Sequence, residues 1–437
     1  MASFVSESVS VDQSGLHGDG VFARSALAVG NVLFREAPLE KQQSLSNRQA
    51  VLVCGACFSF LGDSGTQLDL LAGNTSRYDL VAARSIAGVV PCRDGCGEVY
   101  CCEGCEDRHW TTSHRLLCTG HVSDAEAKTH PLMAFKIHAC QTNEIFLMVA
   151  DIFAKICLQV EVGMSPETAM APYNSFVHEL WWDAAAKDRP QLAMTLQQIS
   201  SESWFLLEKA LKLGERGMSL LLSADYFSRT IGMFEQNNVG IRLSNPAGTF
   251  AMSILGTSEQ EDQERERVMQ AVTQICDRQD GEGADCDLLE MEGGEEGEWE
   301  DMEDGDEEDE EEDVMGIAAV AAGGGEGEGE GAYPPSFTQI LEERGGLDNL
   351  FAPLDGAAFY SLVCKINHSC VPNVNVTYEN AGPGVGIVAC VSAVRGIVPG
   401  EELTHSYIDA SEPFERRAQA LDDYGFKCSC TKCLQRL

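Results

Sequence analysis

The chain has 437 residues, 44% of them hydrophobic, which is enough for two to four structural units with a sizeable core. Its formal net charge of −39 argues against binding of nucleic acid through a broad basic surface. Much of this charge is local, because residues 259–330 hold 30 of the 69 acidic residues and 3 of the 30 basic ones. The sequence has no run of 18 apolar residues, and residues 1–10 lack the basic and apolar stretches of a signal peptide. We therefore expect a soluble, intracellular protein without direct contact to nucleic acid or membrane.

Alternating apolar and polar residues predict a first strand near residues 32–34. Apolar residues at three- and four-residue spacing predict helices through residues 131–235. Residues 259–334 are acidic, glycine-rich and low in complexity, so we predict that they are disordered. A short helix is expected after Ser336, followed by strands at 374–378, 385–391 and 402–406.

Four closely spaced pairs of cysteine or histidine lie between residues 54 and 118. The pairs are Cys54 and Cys57, Cys92 and Cys96, Cys101 and Cys105, and His114 and Cys118. Structural zinc requires four nitrogen or sulfur ligands, which such pairs commonly supply. In an intracellular chain, clustered cysteines hold metal more often than they form disulfides. The spacing therefore predicts two zinc ions, the alternative being a set of reduced core cysteines.

The last 70 residues hold three further motifs in a fixed order. They are Asn367-His368-Ser369-Cys370 with Pro372-Asn373 after it, Gly-Glu-Glu-Leu-Thr-His-Ser-Tyr at 400–407, and Cys428-x-Cys430-x2-Cys433. Their order and spacing resemble the SET-domain lysine methyltransferases, in which a post-SET zinc knuckle closes the active site. The cysteine pairs at 54–118 resemble a MYND zinc finger. Together the motifs resemble the SET and MYND domain (SMYD) family of protein-lysine methyltransferases, and within it the fifth member group, which also ends near its post-SET cysteines.

The resemblance implies an α+β fold, with a β-rich SET domain split by a MYND zinc finger and a helical insert and followed by a post-SET zinc knuckle. The expected divisions are 1–53 for the N-terminal SET part, 54–118 for the MYND finger, 119–230 for the helical insert, 231–258 and 335–411 for the SET core, 259–334 for the disordered acidic insert, and 412–437 for the post-SET tail.

The resemblance also distributes the ligands over three structural zinc ions. The first takes Cys54, Cys57, Cys101 and Cys105, the second takes Cys92, Cys96, His114 and Cys118, and the third takes Cys370, Cys428, Cys430 and Cys433. The finger departs from the family pattern, because three residues rather than two separate Cys92 from Cys96 and 34 residues separate Cys57 from Cys92. His109 and His121 are therefore alternatives to His114. Cys102 fits no pair.

Methyl transfer from S-adenosyl-L-methionine to lysine needs a neutral amine, an aligned approach and a water-poor channel. In the family, tyrosine side chains form the neck of this channel, and Tyr407 and Tyr424 match them as catalytic residues. The residues that match cofactor-binding positions are His17, Gly18, Asp19, Gly20, Asn237, Asn367, His368, Tyr407 and Phe426. Asn237 matches an asparagine of the first SET-core strand, and Asn238 is the alternative if the register differs by one. The family commonly has basic residues where this chain has His17 and Asp19.

The function implied by the resemblance is S-adenosylmethionine-dependent methylation of lysine in a basic protein, such as a histone or a ribosomal protein. We expect a monomer in the nucleus, the cytoplasm or both, and the MYND finger could also bind a proline-rich peptide. Two alternatives from other classes are a non-catalytic adaptor and an acidic chaperone for basic proteins. The retained Tyr407, Tyr424, Asn367 and Phe426 argue against an adaptor, since an adaptor needs no aromatic channel. The sequence does not identify the target lysine or the number of methyl groups added.

Overall fold

The computed structural model describes residues 8–16, 18–82, 86, 88–187, 189–256, 262–281, 336–422 and 424–437. The predicted cofactor residue His17 lies outside the described residues. So does most of the predicted acidic insert, namely residues 259–261 and 282–334. None of the helices in the described ranges is both long and apolar enough to cross a membrane.

The described ranges contain twelve strands and seventeen α-helices. The strands are β1 (Val9–Gln13), β2 (Asp19–Ala23), β3 (Val32–Glu36), β4 (Glu40–Gln43), β5 (Val90–Pro91), β6 (Val99–Tyr100), β7 (Val239–Leu243), β8 (Leu354–Phe359), β9 (Asn367–His368), β10 (Val374–Asn380), β11 (Ile387–Ala393) and β12 (Thr404–His405). The helices are α1 (Ser64–Leu71), α2 (Arg77–Ala82), α3 (Glu103–His109), α4 (Arg115–Leu117), α5 (Asp124–Ala127), α6 (Pro131–Thr142), α7 (Ile145–Glu161), α8 (Pro166–Asn174), α9 (Trp181–Ala185), α10 (Pro190–Leu211), α11 (Ala224–Asn237), α12 (Pro246–Leu255), α13 (Asp262–Gly281), α14 (Phe337–Glu343), α15 (Leu347–Leu350), α16 (Phe414–Asp422) and α17 (Thr431–Leu434). A π-helical turn (Trp110–His114) joins α3 to α4, and 3-10 turns lie at Ser46–Gln49 and Val363–Lys365.

Strands from the two ends of the chain pair with each other. One antiparallel sheet has the order β10-β11-β3, and a second has the order β4-β8-β7. The register places Phe34 of β3 opposite Val391 of β11, and Glu40 of β4 opposite Phe359 of β8. Alternate residues of these strands enter one core, which includes Phe34, Val391 and Ala358. The finger and the helical region are thus insertions between strands of one β-rich domain, and the predicted α+β class is confirmed.

The helical region has its own core, built largely on α7. The periodic apolar residues of this helix, including Phe146, Val149, Ile152 and Phe153, are buried. Each such side chain contributes about 1.5–3 kcal/mol by leaving water. This core reaches the β4-β8-β7 sheet, because Phe359 of β8 packs in it against α11.

A buried ionic contact also joins the helical region to β4. The Glu40 carboxylate is 1% exposed, and it accepts hydrogen bonds from Lys155 Nζ of α7 at 2.6 Å and from the Tyr173 hydroxyl of α8 at 2.6 Å. Lys155 Nζ also lies 2.8 Å from Asp151 Oδ2. Such a contact fixes the orientation of two elements, because removal of one partner leaves an uncompensated buried charge.

The predicted disorder of residues 259–334 is wrong for residues 262–281, which form helix α13. Val268, Val272 and Ile275 of this helix are buried against α1, α12 and α14. Helix α1 belongs to the long segment between Cys57 and Cys92. This segment therefore packs on helix α13 of the predicted acidic insert. The apolar residues of this face recur at helical spacing, but the acidic composition of residues 259–334 as a whole predicts disorder.

The cysteine-rich segment that is predicted to be a zinc finger rests on the turn between β10 and β11. The backbone N–H of Ile387 donates to the carbonyl of Cys57 at 3.0 Å, and Arg108 Nη2 donates to the carbonyl of Gly384 at 3.0 Å. Gly386 permits this approach, because a Cβ atom there would lie 1.7 Å from the carbonyl oxygen of Cys57. Its φ of +83° also favours glycine.

Gly386→Ala should therefore separate the predicted finger from the turn between β10 and β11 and lower the free energy of unfolding by about 2 kcal/mol or more. Denaturant unfolding measures this change. Gly384→Ala is the matched control, because its φ is also +83° but a Cβ atom there meets nothing within 4 Å. Equal destabilisation by the two variants would show that backbone strain, and not the contact with Cys57, accounts for the loss.

Candidate active site and metal centres

The structure brings the twelve predicted metal ligands together in three groups of four. The groups are Cys54, Cys57, Cys101 and Cys105; Cys92, Cys96, His114 and Cys118; and Cys370, Cys428, Cys430 and Cys433. Within each group the ligand atoms all lie within 4.8 Å of one another. Tetrahedral zinc with bonds near 2.3 Å holds its sulfur ligands about 3.8 Å apart. The donor types and spacing therefore fit three structural zinc ions.

His114, rather than His109 or His121, enters the second group. His114 Nε2 lies 3.3 Å from the sulfur of Cys92 and 3.3 Å from the sulfur of Cys96. Burial lowers the pKa of His114 to about 4, so the imidazole is neutral at pH 7, as zinc binding requires. His109 instead stacks on His114 and has its Nδ1 3.1 Å from the Tyr100 hydroxyl.

The third group ties the C-terminal tail to the loop after β9. Cys370 Sγ lies 3.5 Å from Cys433 Sγ. Arg417 of α16 is 1% exposed, and its Nη2 lies 3.9 Å from Cys433 Sγ and donates to the carbonyl of Leu437. A guanidinium at this place offsets the negative charge of four thiolates and fixes the last residues of the chain. Nothing in the spacing of the sequence pointed to Arg417.

Arg417→Met is expected to weaken zinc binding at the third site by about 10-fold or more, since outer partners of a metal site commonly have effects of this size. Competition with a chelator, followed by counting the zinc ions retained, measures the change. Arg416→Met is the control, because Arg416 is its exposed neighbour on the same helix. Equal zinc retention by the two variants would contradict a role for Arg417.

The loop after β8 is positioned by a buried carboxylate. Glu36 of β3 accepts the backbone N–H groups of Leu362 and Val363, each at 3.0 Å. Burial raises the pKa of Glu36, whereas these backbone hydrogen bonds favour the ionised form. The sequence analysis missed Glu36, because the predicted strand covered residues 32–34, whereas β3 extends to Glu36.

The segment from Asn367 to Asn373 runs beside the segment before Tyr407. Strands β9 and β12 pair in parallel, with Asn367 opposite Thr404 and His368 opposite His405. The Asn373 side chain accepts from the Thr404 N–H at 2.7 Å and donates to the carbonyl of Glu402 at 2.8 Å. These contacts bring two motifs, separated by about 30 residues, into one site.

Five aromatic side chains meet at this place, and the ring of His405 lies 4.9 Å from that of Tyr407. The ring of Tyr407 lies 5.3 Å from that of Tyr424, 5.3 Å from that of His368 and 6.3 Å from that of Phe426. The rings of His368 and Phe426 are 5.8 Å apart. Tyr424 and Phe426 come from the tail that the third cysteine group anchors, so this group supports one wall of the aromatic site.

Hydrogen bonds fix the polar atoms of the aromatic site. The Tyr407 hydroxyl donates to the carbonyl of Ile366 at 2.8 Å, and burial raises its pKa, so the hydroxyl keeps its proton at neutral pH. The backbone N–H of Tyr407 donates to His368 Nδ1 at 3.0 Å. Burial lowers the pKa of His368 to about 4, so this imidazole is neutral and can accept that bond.

The predicted glycine loop lies against Asn367. Asn367 Nδ2 donates to the carbonyl of Asp19 at 3.1 Å and to Glu402 Oε1 at 2.7 Å. Gly18 has a φ of +52°, and a Cβ atom at Gly20 would lie 2.4 Å from Glu402 Oε1. The two glycines thus allow a turn and a close approach that residues with side chains would hinder.

Asn237 lies at the end of α11 rather than within a strand. Its side chain donates to the carbonyl of Met233 at 2.8 Å, and the side chain of Asn238 donates to the carbonyl of Phe234 at 2.8 Å. Strand β7 begins only at Val239. The expected strand position is therefore wrong by two residues, and the assignment of Asn237 to the cofactor stays a prediction.

The sequence of this chain is similar to a family model and to several known proteins. A family model described as the SET domain matches residues 245–408. Histone-lysine N-methyltransferase ATXR2 of Arabidopsis thaliana is 23% identical over an alignment that covers 98% of this chain and 90% of that protein. N-lysine methyltransferase SMYD2 of Homo sapiens is 47% identical over 79 residues, and SMYD2-A of Danio rerio is 45% identical over 82 residues.

The similarity to the SMYD2 proteins is local, because the human match covers 18% of this chain and 17% of that protein. The narrower assignment to the fifth SMYD group stays a prediction. The aromatic site, the three cysteine groups and these similarities support a protein-lysine methyltransferase of the SET and SMYD type, and the chain contains a SET domain.

Proposed function

We propose that this protein transfers a methyl group from S-adenosyl-L-methionine to lysine side chains of a basic protein. The observation that carries the proposal is the aromatic site, in which the rings of Tyr407 and Phe426 lie beside that of His368 and the ring of Tyr424 lies beside that of Tyr407. Aromatic faces suit both the adenine of the cofactor and a lysine chain with its methylated ammonium.

The cofactor, when bound, supplies an electrophilic methyl group on a sulfonium. Asn367, His368, Phe426 and the backbone of the glycine loop would hold it, because they combine polar groups, a ring face and a close backbone approach. The protonated Tyr407 hydroxyl donates to the carbonyl of Ile366, so its oxygen can still accept a hydrogen bond at the site. A dry, aromatic surrounding lowers the pKa of an entering lysine and so favours the neutral amine that methyl transfer needs.

A basic protein substrate is favoured by the charge of the chain. Residues 259–330 carry 30 acidic and 3 basic residues, and such a segment attracts a positively charged protein and increases its encounter rate. This attraction weakens with salt. Histones and ribosomal proteins are basic proteins of this kind. The monomeric state, the nuclear or cytoplasmic location and the proline-rich peptide at the finger stay predictions.

The proposal is tested by methyl incorporation from labelled cofactor into a fractionated protein extract. Wild-type protein is compared with a deletion of residues 286–331, which leaves α13 and α14 in place. We expect labelled basic proteins with both, and a several-fold lower kcat/KM for the deletion at low salt only. No label from a protein that binds the cofactor would favour an adaptor. Protection of basic proteins from aggregation, lost in the deletion and unaccompanied by label, would favour a chaperone.

A further inference from the structure

Lys365 is a lysine just before the Asn367–His368 segment, and the sequence analysis gave it no role. It ends the 3-10 turn Val363–Lys365, two residues before Asn367. Its side chain is 11% exposed. A lysine so little exposed needs compensating contacts for its charge.

Those contacts come from two distant parts of the chain. Lys365 Nζ donates to Asp19 Oδ2 at 2.9 Å and to the carbonyl of Ser175 at 2.9 Å. It also lies 4.5 Å from the ring centroid of Phe176, within cation–π distance. One ammonium thus joins the glycine loop at the start of the chain to the segment after α8 in the helical region.

Asp19 is held at both its carboxylate and its backbone. Its other carboxylate oxygen accepts from Gln13 Nε2 at 2.9 Å, and its carbonyl accepts from Asn367 Nδ2 at 3.1 Å. The loop has glycine on both sides of Asp19, with a left-handed backbone at Gly18. Glycine adds conformational freedom at this turn, which the pairing of Asp19 with Gln13 of β1 and the contacts of the Asp19 side chain together restrict. Lys365 provides the contact that carries a full charge.

We propose that Lys365 is a positioning residue for the cofactor: through Asp19, it fixes the glycine loop beside Asn367, where the amino-acid end of the cofactor would bind. The inference rests on the proposed function. It makes the helical region part of the cofactor site, because the same ammonium binds Ser175 and Phe176. Lys365 itself is not required to touch the reacting atoms.

Calorimetric binding of two ligands to the full chain tests this role. S-adenosyl-L-homocysteine has the amino-acid end, and 5′-methylthioadenosine lacks it. Lys365→Met should weaken binding of S-adenosyl-L-homocysteine by about 10-fold, because small misplacements of a binding group have large effects. Binding of 5′-methylthioadenosine should change by less than about 2-fold, because this ligand does not reach the loop.

Three variants complete the test. Lys365→Arg should restore most of the affinity, because arginine can keep the pair with Asp19. Asp19→Asn should weaken binding of S-adenosyl-L-homocysteine as much as Lys365→Met does. The double variant should lose little further affinity, because both changes break the same contact. Lys128→Met is the control, since Lys128 is exposed. If Lys365→Met fails to fold, the affinities of Asp19→Asn for the two ligands test the role of the contact. This variant should fold, because the Asp19 side chain is 37% exposed.

The outcomes separate the two proposals. Unchanged affinity in both single variants, or an equal loss for the two ligands, would overturn the role of Lys365 while leaving the enzyme proposal in place. Failure of the wild-type protein to bind S-adenosyl-L-homocysteine would overturn the proposed function and, with it, the role of Lys365. A selective loss that Lys365→Arg restores would support both.

Discussion

Tyr407→Phe is expected to lower the rate of methyl transfer at saturating cofactor by about 100-fold or more, the usual effect of removing one aligned polar group from an active site. The substitution removes the hydroxyl that donates to the carbonyl of Ile366 at 2.8 Å but keeps the ring that packs against Tyr424 and Phe426. Affinity for S-adenosyl-L-homocysteine should therefore change much less than kcat. Single-turnover kinetics with labelled cofactor measures the chemical step directly.

The control for this prediction is Tyr78→Phe, which also removes one tyrosine hydroxyl. Tyr78 is 75% exposed and lies on α2, in the long segment between zinc ligands. The control should keep full activity. A Tyr407→Phe protein that transfers methyl groups at the wild-type rate would show that the hydroxyl has no part in the chemistry.

Cys430→Ser should remove the third zinc ion and lower methyl transfer by about 100-fold. The third cysteine group connects the tail to Cys370, and the tail carries Tyr424 and Phe426. Binding of a structural zinc ion commonly contributes about 10–16 kcal/mol of folding free energy, so the tail should lose its order without it. Metal analysis should find two zinc ions per chain instead of three, and affinity for S-adenosyl-L-homocysteine should fall together with activity.

Cys140→Ser is the matched control for the zinc prediction. Cys140 is an exposed cysteine on α6 and belongs to none of the three groups that the described residues form. Its replacement should leave the zinc content and the activity unchanged. Three retained zinc ions in Cys430→Ser, or full activity with two, would contradict the role given to the tail.

The cysteine and histidine pairs were recognisable from their local spacing, whereas their division among three groups, with the separate Cys370 in the third, came from the family resemblance. A short spacing such as Cys428-x-Cys430 constrains geometry directly, and the structure brings each pair into its expected group. The uncertain ligand was the histidine, because His109, His114 and His121 are similarly placed along the chain. The structure separates them, because His114 at the end of the π-helical turn lies at the cysteines, whereas His109 lies beside the Tyr100 hydroxyl.

Contacts between distant segments were not predictable from the sequence. Glu36 holds residues 362 and 363, and Lys365 joins Asp19 to Ser175, but no local pattern pairs these positions. Helix α13 was missed for a different reason, because its buried face lies inside an acidic stretch whose average composition predicts disorder. Its partner α1 lies about 200 residues earlier, so the apolar face gains its stability only from tertiary packing.

The most direct test of the central claim is mass spectrometry of a basic protein fraction incubated with the wild-type protein and isotopically labelled S-adenosyl-L-methionine. We predict labelled methyl groups on the ε-nitrogen of lysine, and at least about 100-fold less label with Tyr407→Phe. Label absent from lysine, in a preparation that contains three zinc ions and binds S-adenosyl-L-homocysteine, would contradict the assignment of the aromatic site to lysine methylation.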